Sequence, residues 1–181
     1  MRTKEYVDEE IYRLYQLMAE AWFAKKDRAH ADFFYRRLRK EYHVDLFYEV
    51  MLRHPVKFVH PLGSVLGRAT YAPHLCVYQG VSVGSTLNKE RPVFTGPCVL
   101  YPHSGVIGNV TVGRNVYITA GVIVQAAPGT TVEIPDNSVV VRAADGWAAK
   151  PTQRRVEADY FAEPRPPTPE SMAALGVRGY V

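Results

Sequence analysis

His60 and Asp45 stand fifteen positions apart. An imidazole beside a carboxylate is the pair that takes a proton from a hydroxyl. The ring nitrogen accepts the proton, and the carboxylate fixes the tautomer and stabilises the imidazolium. Fifteen residues is slightly less than one coil of three six-residue faces, so the two could stack near one corner. Taken alone the signal is weak, because a lone histidine in a strand turn is more often one that packs or meets solvent. His103, in Tyr101–Ser104 (YPHS), either faces a ligand groove or is an exposed turn residue. His54 and His74 read as structural or surface residues. His60, His74 and His103 supply the number a catalytic zinc site needs, but a close histidine pair one corner apart is missing, so no metal is expected.

The elements that must position these residues are legible from a period of six. Val59, Val65, Tyr71, Val77 and Val83 form one apolar ladder; Phe94, Leu100, Val106, Val112, Ile118 and Val124 form a second. Four residues after most rungs sits a small or aliphatic residue, among them Gly63, Val81, Cys98, Ser104 and Val116. A helix repeats near 3.6 and an ordinary strand at 2, so strict sixes predict short strands joined by tight turns, three to a coil. This is a parallel β-helix. The interval from Val83 to Phe94 is five residues too long, which predicts a loop thrown out at Ser85–Pro92 (STLNKERP). Ile134, Ser138 and Val140 make a last coil after a turn-rich stretch at 126–131.

Three segments follow. Residues 1–42 read as a helical segment, with Ile11, Leu14, Leu17, Met18 and Trp22 at helical spacing and Asp27 as a cap before a second helix. Such a hairpin must pack on the first coil or on a neighbouring subunit. Residues 43–146 form the β-helix, opened by an irregular coil at 42–58. Residues 147–181 read as an extended Pro-rich tail that a short helix at Glu170–Leu175 could close. Net charge is +4, and the basic run Arg36–Lys40 ends a helix, where cations are favoured, so nucleic acid is not expected. No run approaches a membrane span and no apolar leader is present, which makes the cytoplasm the default. Cys76 and Cys98 fall within the repeats and read as small buried residues, not as a disulfide.

Phe58–Gly67 (FVHPLGSVLG), Val77–Thr86 (VYQGVSVGST), Gly105–Gly113 and Tyr117–Val122 resemble successive coils of hexapeptide-repeat acyltransferases, in the serine acetyltransferase-like branch. Val44-Asp45-Leu46 fits that branch's aspartate, and the likeness spans about 45–150. The resemblance implies a left-handed parallel β-helix and a homotrimer, which the N-terminal helices could pair into a hexamer. It makes His60 the general base and Asp45 its orienting partner. Acetyl-CoA would be the acyl donor, its pantetheine arm on small residues at Gly84, Ser85, Ser104 and Ala120, with Lys150 near the nucleotide phosphates.

Two departures bear on the acceptor. Val59 stands where the family has an aspartate that holds the amine of serine. Glu90-Arg91-Pro92 replaces an Arg-His-Pro triplet that contacts the serine carboxylate. A pocket lacking a partner for a buried ammonium rejects it. The expectation is therefore an O-acetyltransferase acting on a sugar, nucleotide-linked sugar or other small hydroxyl acceptor, with Glu90, Arg91 and His103 toward that acceptor. The alternatives are a serine O-acetyltransferase in which Arg91 takes the carboxylate, a zinc hydratase of the γ-carbonic-anhydrase kind, and a non-catalytic β-helix scaffold.

Overall fold

The computed structural model describes residues 7–162. Two helices open the chain, α1 (Val7–Ala19) and α2 (Arg28–Tyr42), joined through a π-helical turn at Glu20–Ala24. Ile11, Leu14, Tyr15 and Met18 recur at helical spacing and are buried. They bring α1 against the first coil, while α2 packs beside it on the coil's opening strand. Asp27 caps α2 as expected, its carboxylate accepting the His30 N–H at 3.1 Å. His43 ends α2 in the left-handed conformation (φ 54°). The Tyr15 hydroxyl then ties the hairpin to the irregular coil, donating to the Val50 carbonyl and accepting from the Leu52 N–H.

The β-helix has three faces. The five-stranded face stacks β1 (Asp45–Leu46), β3 (Val65–Leu66), β5 (Ser82–Gly84), β8 (Gly105–Ile107) and β11 (Ile123–Gln125). The six-stranded face stacks β2 (Val56–Phe58), β4 (Leu75–Val77), β7 (Cys98–Leu100), β10 (Val116–Ile118), β13 (Ser138–Ala143) and β14 (Gly146–Pro151). The third face holds β6 (Val93–Phe94), β9 (Val110–Val112) and β12 (Val132–Ile134). Every neighbouring pair is parallel except β13–β14, an antiparallel hairpin. That hairpin is a difference from the sequence reading, since regular structure runs to Pro151, past the expected boundary at 146. Cross-strand pairing explains it, because β13 offers an open edge that β14 satisfies.

All six rungs of the second ladder are buried, as are Cys98, Ser104, Val110, Val116 and Val122. Each fully buried Leu, Ile or Phe contributes about 1.5–3 kcal/mol, so the stacked columns are the main cohesive term. The first ladder needs a correction. Its inward residues at the opening coil are Phe58 and Leu66, not Val59 and Val65, and they align with Val77 and Val83. Phe58 to Leu66 is eight positions because the corner between them carries two left-handed residues, His60 (φ 48°) and Gly63 (φ 72°). Val65 consequently points outward and is 44% exposed.

A second, smaller cluster lies on the outside of the six-stranded face. Cys76, Val99 and Tyr117 point outward there and are fully buried, because residues 152–162 fold back over them with Val156, Tyr160 and Phe161. The proposed tail helix at 170–175 lies outside the described residues.

Candidate active site

Among the described residues, the corner between the six-stranded and five-stranded faces gathers the most chemistry. It is a column of turns in which Gly63, Gly80, His103 and Gly121 all have positive φ, between 58° and 72°. Backbone bonds stack them: Gly80 N–H to Leu62 O, His103 N–H to Gln79 O, and Gly121 N–H to Pro102 O, each at 2.9 Å. Glycine occupies this conformation at no steric cost; histidine bears a strain that its neighbours must hold. The His103 ring lies directly over Gly80, where a Cβ would collide with it.

His60 opens this corner. Its side chain is 80% exposed, and its backbone N–H donates to Asp8 Oδ2 at 3.0 Å. The same oxygen is 3.8 Å from His60 Nδ1. The carboxylate facing His60 is thus Asp8, from the first turn of α1. Asp45, expected as the partner, is engaged elsewhere: it accepts from the Tyr35 hydroxyl at 3.1 Å and pairs with Arg39 at 3.5 Å. The two residues do come to the same end of the β-helix, since the Asp45 N–H bonds the Ser64 carbonyl of the His60 corner. Fifteen positions fall short of a full coil, which places Asp45 in strand register with Val65 beyond the turn and not with His60. Asp8 carries no motif and was missed; its only sequence signal is an acidic start to a helix (Asp8, Glu9, Glu10) that must dock near His60.

The other expected residues fall into separate places. Ser104 and Ala120 lie in the His103 corner, but Ser104 is fully buried and its hydroxyl faces the interior without a partner. Gly84 and Ser85 sit across the five-stranded face at its far edge, where a Cβ on Gly84 would meet nothing. Lys150 pairs in β14 with Val139 and is exposed. The 85–92 loop is present as expected. Glu90 spans it internally, accepting from Thr86 Oγ1 at 2.8 Å and from the Gly129 N–H at 3.0 Å. Its carboxylate is therefore a brace between two loops, which corrects its expected place toward an acceptor. Arg91 is exposed and lines a cleft with Arg68, Glu49, Met51 and Thr70. His54 Nδ1 lies 2.7 Å from the Tyr12 hydroxyl, and His74 faces Glu157 and Phe161. Burial pushes the Cys76 thiol up to about 12, and both cysteines are free. Among the described residues no group of three or more His, Cys, Asp or Glu could hold a metal ion, and no helix is long and apolar enough to cross a membrane.

No family model matches the chain. A curated serine acetyltransferase of Synechococcus elongatus is 35% identical over 83 residues, which is 42% of this chain and 34% of that protein. The chain thus spans about a third of the length of the curated relative it matches. Among solved structures, a serine acetyltransferase in complex with CoA superposes with a TM-score of 0.68 at 18% identity, over 80% of this chain and 58% of its own. The serine acetyltransferase of Brucella abortus in complex with coenzyme A gives 0.70 at 16% identity, over 82% and 57%. That of Neisseria gonorrhoeae in complex with serine gives 0.66 at 19% identity, over 81% and 57%. At these identities the superpositions establish the fold, a left-handed parallel β-helix with N-terminal helices. In sequence over one segment, and in fold over about four-fifths of its length, the chain resembles the serine acetyltransferase-like branch of the hexapeptide-repeat acyltransferases.

Proposed function

We propose that the protein is an acetyl-CoA-dependent O-acetyltransferase of the serine acetyltransferase type, with His60 as general base. The observation that carries this is the exposed His60 imidazole with a carboxylate beside it, at a β-helix corner in the segment that resembles the family. His60 accepts the proton of an acceptor hydroxyl as its oxygen attacks the thioester carbonyl. The tetrahedral oxyanion is met by backbone amides, and its collapse expels the CoA thiolate, which takes the proton back from the imidazolium. The products are an O-acetyl ester and free CoA.

The pantetheine arm is proposed along the outer side of the five-stranded face, between the open edge at Gly84 and Ser85 and the corner at Ala120. The backbone of Ser104, not its inward hydroxyl, takes part, and Lys150 serves the phosphates. That face carries Val65 and Ile123, 44% and 46% exposed, and is proposed to meet neighbouring subunits of a homotrimer. Serine is the first acceptor to try, because the curated relative is a serine acetyltransferase and one solved neighbour was determined with serine. Arg91 would then take its carboxylate. A sugar or nucleotide-linked sugar is the second reading, favoured by apolar Val59 and by the internal engagement of Glu90. In either reading Asp45 acts through Tyr35 and Arg39 at the edge of the site.

Thiol release from acetyl-CoA, run with L-serine and separately with sugars and nucleotide sugars, tests the assignment. His60→Ala is expected to lower turnover by about 100-fold or more while acetyl-CoA still binds. Unchanged turnover in that variant removes His60 from the mechanism. Failure to bind acetyl-CoA at all moves the chain to a scaffold.

A further inference from the structure

We propose that Asp8 of α1, not Asp45, is the positioning residue that orients His60, so that the N-terminal helix completes the base; this rests on the acyl-transfer reading above. Three observations converge. Asp8 Oδ2 accepts the His60 N–H at 3.0 Å and stands 3.8 Å from Nδ1 of the same residue. His60 holds a left-handed backbone (φ 48°), uncommon for a side chain with a Cβ, and that N–H bond pins it there. The Asp8 side chain is only 24% exposed, whereas Asp45 already answers to Arg39 and Tyr35.

The geometry sorts the two ring nitrogens. Nδ1 is the one nearer the carboxylate; an Nδ1–H turned toward Asp8 leaves the Nε2 lone pair to solvent and substrate. The distance of 3.8 Å is an ion-pair separation, longer than a hydrogen bond, and catalytic contacts of this kind shorten in the reacting complex. Asp8 lies in the first turn of α1, where the helix dipole favours a carboxylate. The charged groups around the adjoining cleft of about 400 Å³ are Asp8 and Glu9 from α1 and Lys57 from β2. Lys57 is turned away, donating to the Tyr160 carbonyl at 3.1 Å.

The test is the NMR signal of the His60 ring in the full chain, assigned with His60→Gln, alongside steady-state kinetics. Asp8→Asn keeps an oxygen for the backbone N–H and removes only the charge. The His60 ring resonances are expected to move, kcat to drop about tenfold, and KM for acetyl-CoA to stay put. Asp8→Glu restores kcat. Unmoved ring resonances and unchanged kcat in Asp8→Asn, or a larger loss of kcat in Asp45→Asn, overturn the proposal. A ring signal that moves in a protein releasing no thiol with any acceptor upholds the pairing and overturns the reaction instead.

Discussion

The outer sides of the two largest faces end in opposite states, and the strand phase differs between them: the middle residue points outward on the six-stranded face and inward on the five-stranded one. On the six-stranded face the outward column is Lys57, Cys76, Val99, Tyr117 and Val139, and residues 152–162 cover it. The covering segment is well anchored. Asn115 bonds Asn137 Oδ1, the Arg154 carbonyl and the Val156 N–H. Tyr117 donates to Asp159 at 2.8 Å under the Arg154 guanidinium, and Tyr160 donates to Tyr101 at 2.6 Å. Desolvation first, then the Asp159 carboxylate, raises the Tyr117 pKa well above its ordinary value. On the five-stranded face the outward column is Asp45, Val65, Ser82, Gly105 and Ile123, and no described segment covers it. Cys76, Val99 and Tyr117 are fully buried under residues 152–162, whereas Val65 and Ile123 stay 44% and 46% exposed. The first face is sealed within the chain, and the second stays open among the described residues.

Substitutions that break this contrast fall in a definite order. Val156→Asp puts a charge into the fully buried cover and is expected to cost about 3 kcal/mol. Thermal unfolding reads that loss. The same variant should make Cys76, whose thiol is pushed up to about 12 by burial, react readily with thiol reagents at pH 8, where the parent chain is expected to react slowly. An equally protected Cys76 would mean that the cover is not what shields this face. Gly80→Ala follows, at about 1–2 kcal/mol, since it forces a Cβ into both a left-handed position and the His103 ring. Adding His103→Ala should recover the collision part and leave the backbone part, which calorimetry on the double variant separates. Tyr160→Phe removes one hydroxyl pair and is expected to cost about 1 kcal/mol. On the open face, Ile123→Thr should change the stability of the isolated chain by under about 0.5 kcal/mol. A loss as large as that from Val156→Asp would show that the two faces are equally load-carrying.

The comparison also sorts what was readable in advance. The second ladder, Phe94 to Val124, was legible rung by rung, because each coil there takes its six residues per face without interruption. The first ladder misled at Val59 and Val65, where the His60–Gly63 corner absorbs two extra residues and moves the inward positions outward by one on each side. The 85–92 loop was visible as an excess over the period, but that Glu90 would brace it to Gly129 was not, because the two are 39 residues apart. The Asp45–His60 pairing failed for a related reason. Spacing along a coil locates a corner; it does not say which of several carboxylates a docking helix will bring there.

What the amino-acid order determined by itself is periodic: the β-helix, the inward column from Phe94 to Val124, and the helical hairpin with its Asp27 cap. These follow from local geometry, since side-chain direction repeats with the backbone and apolar residues must share an interior. Tertiary structure alone decided which groups meet across that frame. Asp8 reaches His60 over 52 positions, and Tyr160 reaches Tyr101 over 59. Contacts at such separations form only after the coils have stacked and the helices and terminal segment have docked, so no local pattern encodes them.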